Sequence, residues 1–93
     1  MTGEYLNPYK PGDEVIIMAG LYDEHGLPID VEPKKYVVLE VYDDISISAS
    51  QVREDGKLHM PGTIFLSQVV APTGNKWTME ETNSAFIWNQ PNK

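Results

Sequence analysis

The sequence predicts an all-β fold: one small, strongly bent antiparallel barrel or sandwich of five or so short strands. Short apolar runs recur with turn signals every eight to twelve residues or roughly so. No long segment keeps a 3.6-residue hydrophobic period, which argues against a helical bundle. The chain has 93 residues, enough for one domain and no second core. At that length folding hides only about 60–65% of the surface, so the core is small. Without cysteine, neither disulfides nor thiolate metal sites can reinforce it.

Residues 1–12 hold two prolines, two glycines and an asparagine and read as an irregular lead-in. "DEVIIMAG" opens a strand at Asp13 that stops at Gly20; its Val-Ile-Ile centre suits burial on both faces or a strongly curved strand. Residues 21–34 then read as a connection too long and too charged for a minimal hairpin turn. "KKYVVLEVYDD" is the second strand, where Tyr36 and Val38 alternate with a wholly aliphatic side of Val37, Leu39 and Val41.

Asp43-Asp44 marks a tight reversal. In "ISISASQV", Ile45, Ile47 and Ala49 share one face and the serines the other, the pattern of a half-buried antiparallel strand. "REDGK" contains an Asp-Gly pair suited to a hairpin, and "LHMPGTIFL" runs back from it. Pro61-Gly62 there signals a bulge, a kink or an edge. "SQVVAP" fits a last short strand or a single 3₁₀ turn. The expected buried set is Val15, Ile17, Val37, Leu39, Val41, Ile45, Ile47, Ile64 and Leu66. The barrel is thus expected over 13–72, with 73–93 an extension that packs on it or serves as an arm. Thr78-x-x-Glu81 fits a capping box for a short helix from about Met79 to Ala85, whereas Thr82, Asn83 and Ser84 are poor helix formers. Phe86-Ile87-Trp88 would follow as a strand or anchor.

Net charge is −7, and nine acids against two lysines between Asp13 and Asp44 account for the whole excess. A surface of this sign repels phosphate backbones, so direct nucleic-acid binding is disfavoured and a basic partner, or plain solubility, is favoured. The N-terminus lacks the basic and apolar regions of a signal peptide, and "VIIMAGL" is far short of the ~20 residues that span a bilayer. The expectation is a soluble, cytoplasmic protein without membrane contact.

Asp23, Glu24 and His25 are adjacent, but His59 is the only other histidine and no chelating spacing exists, so neither metal nor cofactor is expected. Ser46, Ser48 and Ser50 have no histidine in a recognisable constellation, and no phosphate-binding glycine loop is present. The expectation is no enzyme. Seven of the aromatics carry more information. Tyr36 and Trp88 are expected in the core, Tyr5 and Tyr9 over a barrel end, and Trp77 at either surface or core.

The order of residues from Tyr9 to Val41 resembles the bacterial SH3-like domains appended to peptidoglycan hydrolases of Gram-positive bacteria and their phages. Tyr9, Lys10, Gly12, Asp13 and Val15 match an aromatic-lysine-Gly-Asp-x-Val opening. Gly20 and Tyr22 match the start of a long first loop, and Gly26, Pro28 and Ile29 its interior. Lys35, Tyr36, Val38 and Val41 match the returning strand. The family's tryptophan-valine pair near the last strand has no counterpart in "FLSQVV".

The resemblance implies a small SH3-like barrel and a non-catalytic module binding a protein or a wall polymer. By that analogy the exposed aromatics beside the first loop, Tyr22 and Tyr42, would contact the ligand. Together with Asp23, Glu24, His25 and Trp77 they form the expected binding set. Two rival classes are a small phage or prophage head–tail or decoration protein, in which homo-oligomers are expected, and an acidic phage-type inhibitor of a host enzyme.

Overall fold

The computed structural model describes residues 7–86. Its strands are β1 (Asp13–Tyr22), β2 (Pro28–Val41), β3 (Ser46–Gln51), β4 (Gly62–Phe65) and β5 (Val69–Lys76). A 3₁₀ turn over Leu66–Gln68 links β4 to β5, and helix α1 spans Met79–Ala85. The strands form one antiparallel sheet in the order β4-β3-β2-β1-β5. The fold is all-β: one small, barrel-like antiparallel sheet of five strands followed by a short helix.

Two apolar clusters lie on opposite faces of this curled sheet. Val15, Ile17, Val38, Ile47 and Ala49 form the first, with Tyr9, Tyr36, Val41, Ile64, Leu66 and Val69 packed around it. Val37, Leu58 and Phe86 form the second, flanked by Leu39, Val52, Trp77 and Ala85. The aliphatic side expected on β2 is divided between them. A register shift between Val38 and Glu40 puts one extra residue into β2, so Val37 and Leu39 join the second cluster while Val41 joins Val38 in the first. A one-residue slip sends every later side chain to the other face, as period-two geometry requires.

Tyr36 is half-buried against the first cluster, where burial pushes its phenol pKa up, and its hydroxyl donates to Gln51 Oε1 at 3.3 Å. Of the expected buried set, Val15, Ile17, Val37 and Ile47 are buried, Leu39, Val41, Ile64 and Leu66 are half-buried, and Ile45 is the exception, at 61% exposed. Strand β3 starts only at Ser46. Asp43 Oδ1 accepts the Ile45 N–H (3.0 Å) and the Ser46 hydroxyl (2.7 Å), and this side-chain turn lifts Ile45 out of the pleat. The serine face is a second correction: Ser46, Ser48 and Ser50 are all buried. Ser50 stands opposite Val37, on the face that Leu58 and Phe86 cover.

The largest departure concerns residues 21–34. They are two strand segments and a short turn, with pairs running from Met18–Pro33 to Tyr22–Pro28. Ile29, Val31 and Pro33 alternate with Asp30, Glu32 and Lys34, a period-two pattern that the charges disguised. Prolines are tolerated because β3 pairs with β2 only from Tyr36 onward, so among the described residues this half of β2 has β1 alone beside it. Likewise β5 pairs with β1 only as far as Ile17, so the distal hairpin extends past both neighbours.

The capping box forms as its spacing requires. Glu81 N–H donates to Thr78 Oγ1 (3.0 Å) and Thr78 N–H to Glu81 Oε1 (2.9 Å), starting α1 despite its poor interior residues. Helix α1 is then held by the Leu58 N–H, which donates to Ala85 O at 2.7 Å, and by a parallel bridge from Leu58 to Phe86. Tyr5 and Trp88, both expected to pack, lie outside the described residues.

Candidate functional site

Gly20, in the distal β1–β2 hairpin, has a φ of +144°. A Cβ there would lie 2.1 Å from Asp30 O across the ladder, so only glycine fits. At the tip Asp23 organises the turn. Its N–H donates to Leu27 O (2.8 Å), and its Oδ1 accepts the N–H groups of His25 and Leu27, both at 2.8 Å. Glu24 and His25 face solvent, 3.5 Å apart, at 86% and 75% side-chain exposure. The Tyr22 hydroxyl turns back along its own strand and donates to Met18 O at 2.6 Å.

Tyr22 thereby forms one wall of a groove of about 560 Å³ between the hairpin and the 3₁₀ turn. Met18, Pro28 and Val31 continue that wall, and Phe65, Ser67 and Gln68 supply the other. Leu21, Leu27 and Ile29 stand exposed around the tip, interleaved with Asp23, Glu24 and Asp30. An apolar slot with an acidic margin can take a hydrophobic side chain flanked by positive charge.

The structure therefore brings Tyr22, Asp23, Glu24 and His25 together and leaves the other two expected residues elsewhere. Tyr42, exposed, follows the far end of the fourteen-residue β2 from Tyr22. Trp77 sits at the opposite end of β1, half-buried against the second cluster, and its backbone N–H donates to Gly12 O at 2.7 Å. Asp23 holds the turn rather than facing outward with its carboxylate. Met18, Val31, Phe65 and Gln68 were not foreseen. The alternation of Ile29, Val31 and Pro33 signals one wall, but no local pattern places Phe65 across from it.

A second polar cluster, also unforeseen, surrounds Glu14, which is only 4% exposed. Its Oε1 accepts from Thr73 Oγ1 (2.7 Å) and Asn75 Nδ2 (3.0 Å), and its Oε2 accepts from Trp77 Nε1 (3.1 Å). Burial alone would push this carboxyl up. The Thr73, Trp77 and Asn75 hydrogen bonds, helped by the charge of Lys35, outweigh it and hold the pKa below its ordinary value. With both oxygens engaged, Glu14 acts as a clamp joining β1 to the end of β5. Beside it Asp13 Oδ2 accepts the Lys10 N–H at 3.0 Å, and Oδ1 pairs with the Lys76 ammonium.

Among the described residues no group of three His, Asp or Glu side chains is placed to hold a metal ion, and no helix is long and apolar enough to cross a membrane. Comparison with family models, curated proteins and solved structures gives no significant match.

Proposed function

We propose that this chain is a non-catalytic interaction module whose hairpin groove takes an extended segment of a partner protein. The observation that carries this reading is the groove itself: Met18, Tyr22 and Val31 face Phe65 and Gln68 across a slot open to solvent. The acids at 23, 24, 30 and 32 give the hairpin a negative field, against which Lys34 is the nearest cation, 3.5 Å from Glu32. The fitting ligand is an apolar side chain with lysine or arginine beside it. A protein segment supplies both; an uncharged wall polymer supplies neither. The hairpin is held by its ladder and by the Asp23 turn, so binding needs little ordering of the loop.

The test is titration of the ¹⁵N-labelled protein with extended peptides in which leucine is flanked by lysines, and with matched peptides in which glutamate replaces lysine. Amide shifts confined to Met18, Tyr22, Val31, Phe65 and Gln68, produced by the lysine set and reduced by Phe65→Ala, are expected. Equal response to both peptide sets, or shifts centred on Trp77 or Tyr42, would overturn the reading.

A further inference from the structure

At the opposite end of β1 from the hairpin, a cavity of about 650 Å³ opens between the end of β5, the turn at Gly56-Lys57 and helix α1. Trp77 forms part of its wall, ringed by Glu14, Lys57, Asn75, Glu81 and Ser84. The hairpin groove is mostly apolar; this cavity is not. Among the described residues its only apolar side chains are Trp77 and Ala85.

The fold holds these polar groups in place, and each keeps unused hydrogen-bonding capacity. Asn75 Nδ2 donates to Glu14 Oε1, which leaves the Asn75 carbonyl oxygen to accept. Glu81 Oε1 accepts the Thr78 N–H, leaving Oε2. Glu14 accepts three hydrogen bonds, whereas a carboxylate has room for about four. Trp77 is fixed twice, by its backbone N–H to Gly12 O and by its Nε1–H to Glu14 Oε2. Lys57 has no ion-pair partner among the described residues, and Ser84 is exposed on α1. Side chains already fixed in this way need little ordering when a ligand arrives.

We infer that this cavity is a saccharide-binding site, with one pyranose ring lying against the Trp77 indole. The chemistry of the wall selects that class. Two lysines, Lys57 and Lys76, stand against two carboxylates, Glu14 and Glu81, so an anion such as phosphate meets as much repulsion as attraction. A wholly apolar ligand would leave the polar rim desolvated and without partners. A sugar hydroxyl both donates and accepts, so it satisfies ammonium, amide and carboxylate alike. The C–H face of the ring covers the indole. This site and the hairpin groove lie at opposite ends of β1, so each binds independently of the other.

Titration of the ¹⁵N-labelled full chain with cellotriose, maltotriose and mannotriose, all neutral, tests the inference. At least one of them is expected to move the Trp77 indole N–H, the Asn75 side-chain amide and the Ser84 amide, with the hairpin amides unmoved. Inorganic phosphate and glycine at the same concentration should leave those resonances in place. Ser84→Arg fills the mouth of the cavity from an exposed helix position and is expected to weaken binding by about tenfold or more at unchanged Tm. Lys57→Met removes a donor without blocking the space and is expected to weaken it several-fold. No shift with any of the three sugars, an equal response to phosphate or glycine, or full binding by either variant would each overturn it.

Discussion

Replacing Glu14 by glutamine tests whether its buried carboxylate clamps β1 to the end of β5. Glutamine keeps the shape and one acceptor oxygen, but it turns an N–H₂ group toward donors. Three hydrogen bonds of 2.7, 3.0 and 3.1 Å are affected. Hydrogen bonds to a charged acceptor are worth about 1.5–3 kcal/mol each, yet Thr73 and Asn75 are exposed and recover water when released. The uncompensated part is the half-buried Trp77 N–H and the charge itself, so the net loss is about 2 kcal/mol. For a domain of 93 residues that is roughly 10 °C in Tm.

The same substitution has a pH signature. Because the folded-state pKa of Glu14 is depressed, its contribution is fully present above the unfolded value, about 4.3, and is lost as pH falls through the folded value. Thermal melts followed by circular dichroism at neutral pH and at steps into this acid range read both effects. The parent protein should lose stability on acidification more steeply than Glu14→Gln. Some slope remains in the variant, because the Ser46 hydroxyl and the Ile45 N–H also hold the Asp43 carboxyl low. Equal Tm values at neutral pH, or parallel pH curves, would refute the clamp.

Three further outcomes follow from the second face of the sheet and the segments that cover it. The Ser50 hydroxyl is fully buried without a hydrogen-bond partner, so Ser50→Ala should raise stability by about 1 kcal/mol, read as a higher denaturant midpoint at unchanged m-value. Phe86, 9% exposed against Leu58 and Val37, should cost about 3 kcal/mol as Phe86→Ala, and a chain ended after Pro72 should show no cooperative melt. Such a truncation removes half of β5, the Trp77–Glu14 bond and α1 together.

Strand order along the chain was legible where burial imposes a period. Val-Ile-Ile in β1, the alternation in β3 and the Thr78–Glu81 capping box all state their local geometry in residues a few positions apart. The hairpin was not legible, because four acids and two prolines between Gly20 and Lys35 imitate a loop. Pairing of Met18 with Pro33 and of Tyr22 with Pro28 is a choice made across the ladder, and it exposes those charges without cost. Of the expected binding set, Tyr22 through His25 are contiguous and stand together on the hairpin, whereas Trp77 lies apart from them and donates to Glu14, a residue 63 positions away.

The amino-acid sequence by itself determined the β class, the acidic field of the first half and the start of the helix, because propensity, charge and capping act over a few residues. The tertiary structure alone decided which face each side chain occupies. One extra residue at the β2 bulge sends Val41 and Leu39 to opposite cores, and the cover from Leu58 and Phe86 buries serines that would otherwise meet water. It alone also decided the groove, since Phe65 and Tyr22 line one slot only when the hairpin and the 3₁₀ turn stand side by side. These two residues are more than forty positions apart, beyond the reach of any local period.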